Sequence, residues 1–186
     1  MAKAYKLFRV SKKNKGKLFP LFVDASNEVP LNKWLEAKEG EKNDNGKVKS
    51  KLGPLAFRPG WHLSDIPLAI HIGVKGESGE IEYMNSQYVW CECEYDDSKN
   101  YQDIANERGT KNGKFVAKNA FLDYIPLNGF YRYKTSPKML GNWIISGNIK
   151  VIRVLSDEEV KNILLEKGYK PMPRDGGCIN LADYGF

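Results

Sequence analysis

The alternation of apolar and polar residues is clearest over residues 88–95, where it follows the two-residue period of a β-strand. One face carries the odd-numbered residues from Val89 to Tyr95, and the other carries Trp90, Glu92 and Glu94. This segment is therefore predicted to be a strand with one buried face.

Other apolar runs predict further strands. Residues 5–10 and 17–23 flank a polar, glycine-containing segment and predict a hairpin with a long loop. Residues 130–135 and 143–155 are also predicted as strands, the second of them bent at the Ser-Gly-Asn sequence of residues 146–148.

A helix is predicted over residues 157–167. Ser156 and Glu159 have the spacing of a capping box, and Gly168 is placed to end the helix in the left-handed conformation. Shorter helical or turn segments are predicted at residues 31–37, 64–71 and 101–108.

These elements predict one α+β domain over residues 1–173, with a mainly antiparallel sheet, a short central helix or turn region and a C-terminal helix. The helices are not inserted regularly between the strands, which argues against a doubly wound parallel sheet. Residues 174–186 are predicted to form a loosely ordered tail. The pattern does not fix an oligomeric state.

Basic residues are concentrated in the first third of the chain. The whole chain carries a formal charge of +6, but residues 1–55 hold 13 Lys and Arg against 6 Asp and Glu, leaving 16 against 17 in residues 56–186. Such asymmetry is typical of surfaces that bind nucleic acid or another anionic partner. A solvated lysine-rich face is the other interpretation, because lysine outnumbers the arginine that phosphate recognition favours.

We expect a cytoplasmic protein with no membrane segment. The N-terminus lacks the features of a signal peptide, and no apolar run approaches the roughly 18–20 residues that span a bilayer. Three cysteines, Cys91, Cys93 and Cys178, fit a reducing compartment. Cys91 and Cys93 lack the second pair that a zinc site uses, so no metal or other cofactor is expected.

The strongest candidate site is the Arg-Pro-Gly-Trp-His sequence of residues 58–62. Arg58 suits the grip of a phosphate or carboxylate, Trp61 offers a stacking face, and His62 titrates near neutral pH. A cleft shared with His71, the only other histidine, would let the two act as general acid and base on a phosphodiester. In the structural alternative, Trp61 anchors the core and His62 bonds a backbone carbonyl.

Residues 130–135 alternate aromatic and basic side chains and supply further binding candidates. Arg132 and Lys134 are predicted on one face of this strand, with Tyr131 and Tyr133 on the other. Stacking rings and phosphate-binding cations would suit a single nucleic-acid strand, but opposite faces do not collect both in one groove. A tyrosine pair facing the core is the simpler interpretation. No Walker or dinucleotide glycine loop, nucleophile elbow or His-Glu-x-x-His sequence is present.

Five segments together carry a resemblance to a known family. They are YKLFRV at residues 5–10, GKLFPLFV at 16–23, FRPGWH at 57–62, YRYKT at 131–135 and WIISG at 143–147. Over the chain to about residue 173, they resemble a poorly characterised domain family of phages, prophages and integrative elements of gut bacteria. The resemblance implies a mobile-element setting and work on nucleic acid or in host defence, and it assigns no catalytic residue.

A weaker resemblance is to ADP-ribosyltransferase-like folds. Those domains carry an Arg or His on an early strand, where Arg9 stands here as a candidate binding residue, and often a late Glu in a strand that ends the cleft. Asn142 precedes Trp143 in this chain where an acidic residue would be expected. That departure counts against transferase activity, unless Glu92 or Glu94 supplies the carboxylate.

Two functions of different classes follow. The preferred hypothesis is an accessory module that binds nucleic acid or a host protein through its basic first third, with salt-sensitive binding that weakens when the lysines of residues 12–17 are neutralised. The alternative is a small nuclease or an ADP-ribosyl- or nucleotidyl-transferase-like enzyme that uses His62 and Arg58. That enzyme requires a concave pocket with a carboxylate or tyrosine nearby.

Overall fold

The structure is a computed structural model that describes all residues from Met1 to Phe186. The strands are β1 (Ala2–Arg9), β2 (Trp34–Glu36), β3 (Trp61–Ser64), β4 (Val74–Lys75), β5 (Ile81–Tyr83), β6 (Tyr88–Tyr95), β7 (Lys99–Asn100), β8 (Thr110–Lys111), β9 (Lys114–Phe115), β10 (Gly129–Tyr133), β11 (Trp143–Ser146) and β12 (Asn148–Val154). The helices are α1 (Gln102–Arg108) and α2 (Asp157–Glu166), and two short 3-10 helices occupy Ala117–Asn119 and Leu181–Tyr184.

Eight strands form one sheet in the order β2-β12-β6-β1-β3-β11-β10-β7. Every neighbouring pair is antiparallel except β10 with β7, and β4–β5 and β8–β9 form two separate hairpins. The predicted α+β class with a mainly antiparallel sheet is confirmed. Neither helix has the length and apolar character needed to cross a bilayer.

The sheet curls around its larger core. The rings of Tyr95 on β6 and Phe130 on β10 lie 5.5 Å apart between centroids, although three strands separate β6 from β10. Neighbouring strands are about 4.8 Å apart, so a flat sheet would place these residues roughly 19 Å from each other. The concave inner face holds the buried residues Ala4, Phe8, Leu63, Val89, Cys91, Cys93, Ile144, Ile149 and Val151.

The outer face of the sheet is covered in two places. Val160 and Ile163 of α2 pack against a cluster that contains Trp90. Residues 101–125, which include α1, cover Tyr131 of β10. Both faces are therefore apolar, and the protein has cores on both sides of the sheet.

The segments with the strongest local signals form as predicted. β6 spans the alternating residues 88–95, with its odd-numbered face buried. Ser156 Oγ accepts the Glu159 N–H at 3.1 Å, and the Glu159 carboxylate accepts the Ser156 N–H at 2.8 Å. Gly168, with φ +79°, follows the end of α2.

The prediction of helical turns at residues 31–37 is wrong. Residues Trp34–Glu36 form the edge strand β2, which pairs antiparallel with β12. Backbone pairing with a neighbour distant in sequence outweighs the apolar spacing, because tertiary hydrogen bonds override weak local preference. Residues 64–71, predicted as a short helix or turn, form bends and a turn after Ser64, the last residue of β3.

The predicted hairpin of residues 5–10 and 17–23 forms only in part. β1 pairs along its whole length with β6, and from the second run a single residue, Phe19, bridges to Arg9. Pro20 follows and has no N–H for a continued ladder. The second run buries Leu18 and Leu21 as an irregular segment.

Residues 174–186, predicted to be a loosely ordered tail, are held against the sheet at both ends. The Arg174 guanidinium is 4% exposed, pairs with both carboxylate oxygens of Asp157, and donates to the carbonyl oxygens of residues 85, 86 and 88. Tyr184 is buried in the inner core, and its carbonyl accepts the Gly16 N–H at 2.7 Å.

Truncating Tyr184 tests this attachment. We expect Tyr184→Ala to lower the free energy of unfolding by about 2–4 kcal/mol, because it removes a buried ring from the core. Urea denaturation measures the change, with the exposed neighbour Asp183→Asn as a control expected to stay within about 0.5 kcal/mol of the wild type. Equal stabilities for the two variants would show that the tail does not belong to the core.

Candidate functional site

The sheet opens between β1 and β3. These strands pair at one register position, Tyr5 opposite Ser64. Four residues later, Arg9 exchanges two backbone hydrogen bonds with Phe19, at 2.8 and 3.0 Å. β1 thus changes partner along its length, and the gap beside Leu7 leads into a cleft of about 870 Å³. We call this cavity the β1–β3 cleft.

The cleft combines aromatic rings with charges of both signs. Its rings include Trp34, Phe57, Trp61, Tyr133 and Trp143. Its cations are Lys6, Lys38, Arg58 and Lys118, and its carboxylates are Asp24, Glu28, Glu36 and Glu39. Formal charges within the cleft therefore balance, although most of its lining comes from the basic first third of the chain.

The predicted Arg-Pro-Gly-Trp-His segment forms one wall of the cleft. Gly60 has φ +122°, and a Cβ there would lie 2.4 Å from Ile145 Cγ2, so only glycine fits. Trp61 Nε1 donates to Leu35 O at 2.9 Å, which ties β3 to β2 across the cleft. His62 Nδ1 lies 3.2 Å from Gly60 O, the carbonyl contact expected of a structural histidine.

Arg58 is occupied by the protein's own backbone. Its guanidinium donates to Ala120 O and to Lys118 O, the latter at 3.0 Å, and stacks 3.7 Å from the ring centroid of Tyr133. These contacts fasten the segment after β9 to the cleft wall. The donors predicted to bind a phosphate are thus already hydrogen-bonded to two backbone carbonyl oxygens.

Both histidines line the cleft, and both are neutral at pH 7. Burial, together with the nearby charges of Lys6 and Arg58, lowers the pKa of His62 to about 3. His71 packs edge-on against Trp143, 5.7 Å between ring centroids, and burial lowers its pKa as well. Burial therefore favours the neutral form of both imidazoles.

Tyr133 meets the requirement for a tyrosine close to His62. The two rings meet edge-on with centroids 6.0 Å apart. Burial raises the pKa of Tyr133 to about 12, so its hydroxyl stays protonated at neutral pH. It acts here as a wall of the cleft and a stacking partner of Arg58.

Lys6 is the main site residue that sequence reasoning missed. Its Nζ donates to His62 O at 2.8 Å, and burial lowers the pKa of this amine to about 8. The sequence feature that could have identified Lys6 is its position in the alternation of the strand. It lies on the same face as Ala4 and Phe8, which are both fully buried. Its connection to β3 depends on the opening of the sheet, which no local pattern records.

Arg9, a predicted binding residue, lies beside a second cavity of about 460 Å³, which we call the cationic depression. Its other polar lining residues are Asp24, Ser26, Lys49, Ser50 and Lys51. Arg9 donates to Ala25 O at 3.0 Å, while its Nε is buried without a partner. Phe22 and Asp24 line both cavities, so the depression adjoins the β1–β3 cleft.

Four other candidates lie outside the cleft. Arg132 donates to the Tyr95 hydroxyl at 3.3 Å, and Lys134 donates to two loop carbonyls at 2.6 and 3.1 Å. Glu92 and Glu94 form ion pairs with basic side chains of β1 and β12. The carboxylate that a transferase would need from β6 is therefore not in the cleft.

The cysteines do not form a metal-binding group. Cys91 and Cys93 are fully buried on the inner face, and burial raises the pKa of both thiols, that of Cys93 to about 12. Cys178 is exposed. No three His, Cys, Asp or Glu side chains are grouped to hold a metal ion.

No family model, curated protein or solved structure matches this chain. The family resemblances seen in the sequence therefore stay predictions. Function has to be inferred from the two adjoining cavities and the chemistry of the residues that line them.

His62 gives the fold a pH dependence. Its pKa is about 6.5 in the unfolded chain and about 3 when folded, so the unfolded state binds more protons as the pH falls from 6.5. This contribution to stability is fully present above pH 6.5 and is lost progressively below it. We expect the free energy of unfolding to fall by about 1–2 kcal/mol from this site between pH 6.5 and 4.5, since the ring is partly open to the cleft.

Urea denaturation of the wild type and of His62→Gln at both pH values measures this loss. Between the two pH values, the free energy of unfolding of the variant is expected to fall less than that of the wild type. The difference should equal the contribution of His62, because the variant has no imidazole to protonate at this position. An identical decline in the two proteins would mean that His62 titrates normally.

Proposed function

We propose that this chain is a binding module for single-stranded nucleic acid. The β1–β3 cleft receives an unstacked base, and the cationic depression receives a neighbouring phosphate. The adjacency of an aromatic cavity and a cationic one, joined through Phe22 and Asp24, carries the proposal. Proteins that bind single strands combine these two features, since rings stack on bases and cations follow the backbone.

The cleft has the lining that an unpaired base requires. Trp34 remains 38% exposed although it lines the cleft, so its ring offers apolar area to a ligand. Glu36 and Glu39, at the same wall, take part in no ion pair and are free to accept hydrogen bonds from amino or hydroxyl groups. A base inside a duplex does not reach such a cavity without leaving its stack, which favours single strands.

The cationic depression supports the placement of the phosphate. It has three cations, Arg9, Lys49 and Lys51, against the single carboxylate of Asp24. Lys49 pairs with Glu41 at the rim, and Asp24 is shared with Lys38, whereas Lys51 forms no ion pair. The cations that line the depression would supply the positive charge and the N–H donors that a phosphate needs.

Binding is favoured over catalysis by the state of the predicted catalytic residues. His62 and His71 are both neutral at pH 7, and Arg58 is held by two backbone carbonyls. The mobile-element setting and the cytoplasm are part of this proposal, because single strands arise when such elements are copied and transferred.

Neutralising the depression should weaken binding and its salt dependence. We expect Lys49→Gln/Lys51→Gln to lower affinity for a 12-nucleotide strand and to reduce the slope of log K against log salt by about 0.7 for each phosphate that the variant no longer neutralises. Fluorescence anisotropy at several salt concentrations, with RNA, DNA and duplex forms, measures this. The exposed pair Lys161→Gln/Lys170→Gln makes the same charge change on and after α2 and should leave the slope unaltered.

Three results would count against the module. Absent or salt-independent binding would remove nucleic acid as the partner and turn the search to a host protein. A preference for duplex would contradict the role of the cleft. Shortening of the strand, lost in His62→Ala, would make the protein a nuclease.

Trp34 tests the stacking part of the proposal. Trp34→Ala should weaken binding by about 1–3 kcal/mol, because it removes a ring on which a base stacks. The salt slope should stay that of the wild type, since no charge changes. Phe115→Ala, which truncates an exposed ring on β9, is the matched control. An equal loss of affinity in both variants would show that Trp34 does not stack on a base.

A further inference from the structure

Lys6 is an amine in a position where the fold otherwise places apolar side chains. On the inward face of β1, its neighbours Ala4 and Phe8 are fully buried, as is Val10 directly after the strand. Lys6 itself lines the β1–β3 cleft and has no carboxylate within 4 Å. A lysine here therefore serves neither the core nor an ion pair.

The amine of Lys6 lies close to two aromatic rings at the wall of the cleft. Nζ lies 5.5 Å from the ring centroid of Trp61 and 5.6 Å from that of Phe8, and it donates to His62 O at 2.8 Å. Lys6 lines the cleft, so a ligand that enters the cleft comes close to this side chain. Nucleophilic lysines in proteins occupy such sites, where removal from water favours the uncharged form.

We propose that Lys6 is a nucleophile that captures an aldehyde-bearing sugar of a single strand as an imine inside the β1–β3 cleft. This inference rests on the proposed function, which delivers the strand. A sugar that has lost its base presents an aldehyde in its ring-opened form. The missing base also leaves room in the cleft for the sugar to approach β1.

The reaction consumes only the amine and the aldehyde. The lone pair of neutral Nζ forms a C–N bond to the aldehyde carbon, while the electrons of the C–O double bond move to oxygen. Proton transfer from nitrogen to oxygen gives a carbinolamine. Loss of that oxygen as water then leaves a C=N bond, so one amine and one aldehyde become one imine and one water.

The ionisation of Lys6 supports this role. Burial lowers its pKa to about 8, and the titratable groups that act on it, the thiols of Cys93 and Cys91 on β6, oppose this shift only in part. With this pKa about 10% of the amine is neutral at pH 7, roughly 200-fold more than for an ordinary lysine.

Borohydride trapping tests the proposal. The full chain is mixed with a single-stranded DNA oligonucleotide that contains one abasic position, and borohydride adds hydride to any imine to give a stable secondary amine. Peptide mass mapping then locates the adduct. We expect it on Lys6, with a yield that rises with pH around a midpoint near 8.

Lys6→Arg keeps the positive charge and the ability to donate to His62 O, but it cannot form the imine. We expect its adduct yield to fall at least about 10-fold. Lys3→Arg, the same change at an exposed position of the same strand, should give the wild-type yield. Mapping on the unaltered protein keeps the test valid even if Lys6→Arg folds poorly.

A second aldehyde separates the two proposals. If the oligonucleotide binds but no adduct forms on Lys6, or if Lys6→Arg is trapped as well as the wild type, the capture inference is overturned and the binding function stands. If no strand binds, pyridoxal 5′-phosphate serves as the probe. An adduct with it on Lys6 then supports the nucleophile while the nucleic-acid function fails, and its absence overturns both.

Discussion

The change of partner along β1 is the constraint on which the rest of the structure depends. Every buried backbone N–H and C=O needs a hydrogen-bond partner, so a sheet does not open without local compensation. Here β1 leaves β3 after the pair of Tyr5 with Ser64 and takes up Phe19 at Arg9. Pro20 and Pro59 both line the resulting gap and have no N–H to satisfy, while Lys6 supplies a donor to His62 O. The cleft exists because these residues make the opening tolerable.

The hydrogen bond that Lys6 donates to His62 O requires the burial of an amine, which lowers the stability of the fold. A pKa lowered from 10.5 to about 8 means that burial opposes the charged amine by on the order of 2 kcal/mol at neutral pH, allowing for its partial exposure. An uncharged donor or a water molecule would satisfy a carbonyl at lower cost. Proteins retain destabilising groups of this kind where function needs them, since stability alone would select against them. The same opening that demands a donor thus places an amine at the wall of a cavity.

The sequence predicts the elements that are fixed by interactions between residues close together in the chain, and it misses those fixed by long-range pairing. β6 and α2 are encoded locally, in the alternation of residues 88–95 and in the reciprocal bonds of Ser156 and Glu159. β2 is decided by pairing with β12, more than one hundred residues away, which no local spacing reports.

The site divides in the same way. The Arg-Pro-Gly-Trp-His segment can be recognised in the sequence because its backbone conformation requires a particular residue. Gly60 has φ +122° and lies against Ile145, so the position requires glycine. Lys6 looks like any strand lysine until β3 is placed beside it. Arg132 and Lys134 have the composition of a binding strand, yet their hydrogen bonds to the Tyr95 hydroxyl and to loop carbonyls serve the fold.

The two cavities differ in charge, which in the proposed module separates affinity from selectivity. The β1–β3 cleft has balanced formal charges, so a polyanion gains little from its average field. The cationic depression has the excess of positive charge but is shallow and has few apolar side chains to discriminate among bases. In the proposed module, attraction therefore comes from the depression and varies with salt, whereas the choice of ligand comes from shape and hydrogen bonding in the cleft, which salt affects little. Since both cavities share Phe22 and Asp24, a ligand that fills one fixes the position of its neighbouring group in the other, and the amine of Lys6 then meets whatever the cleft admits.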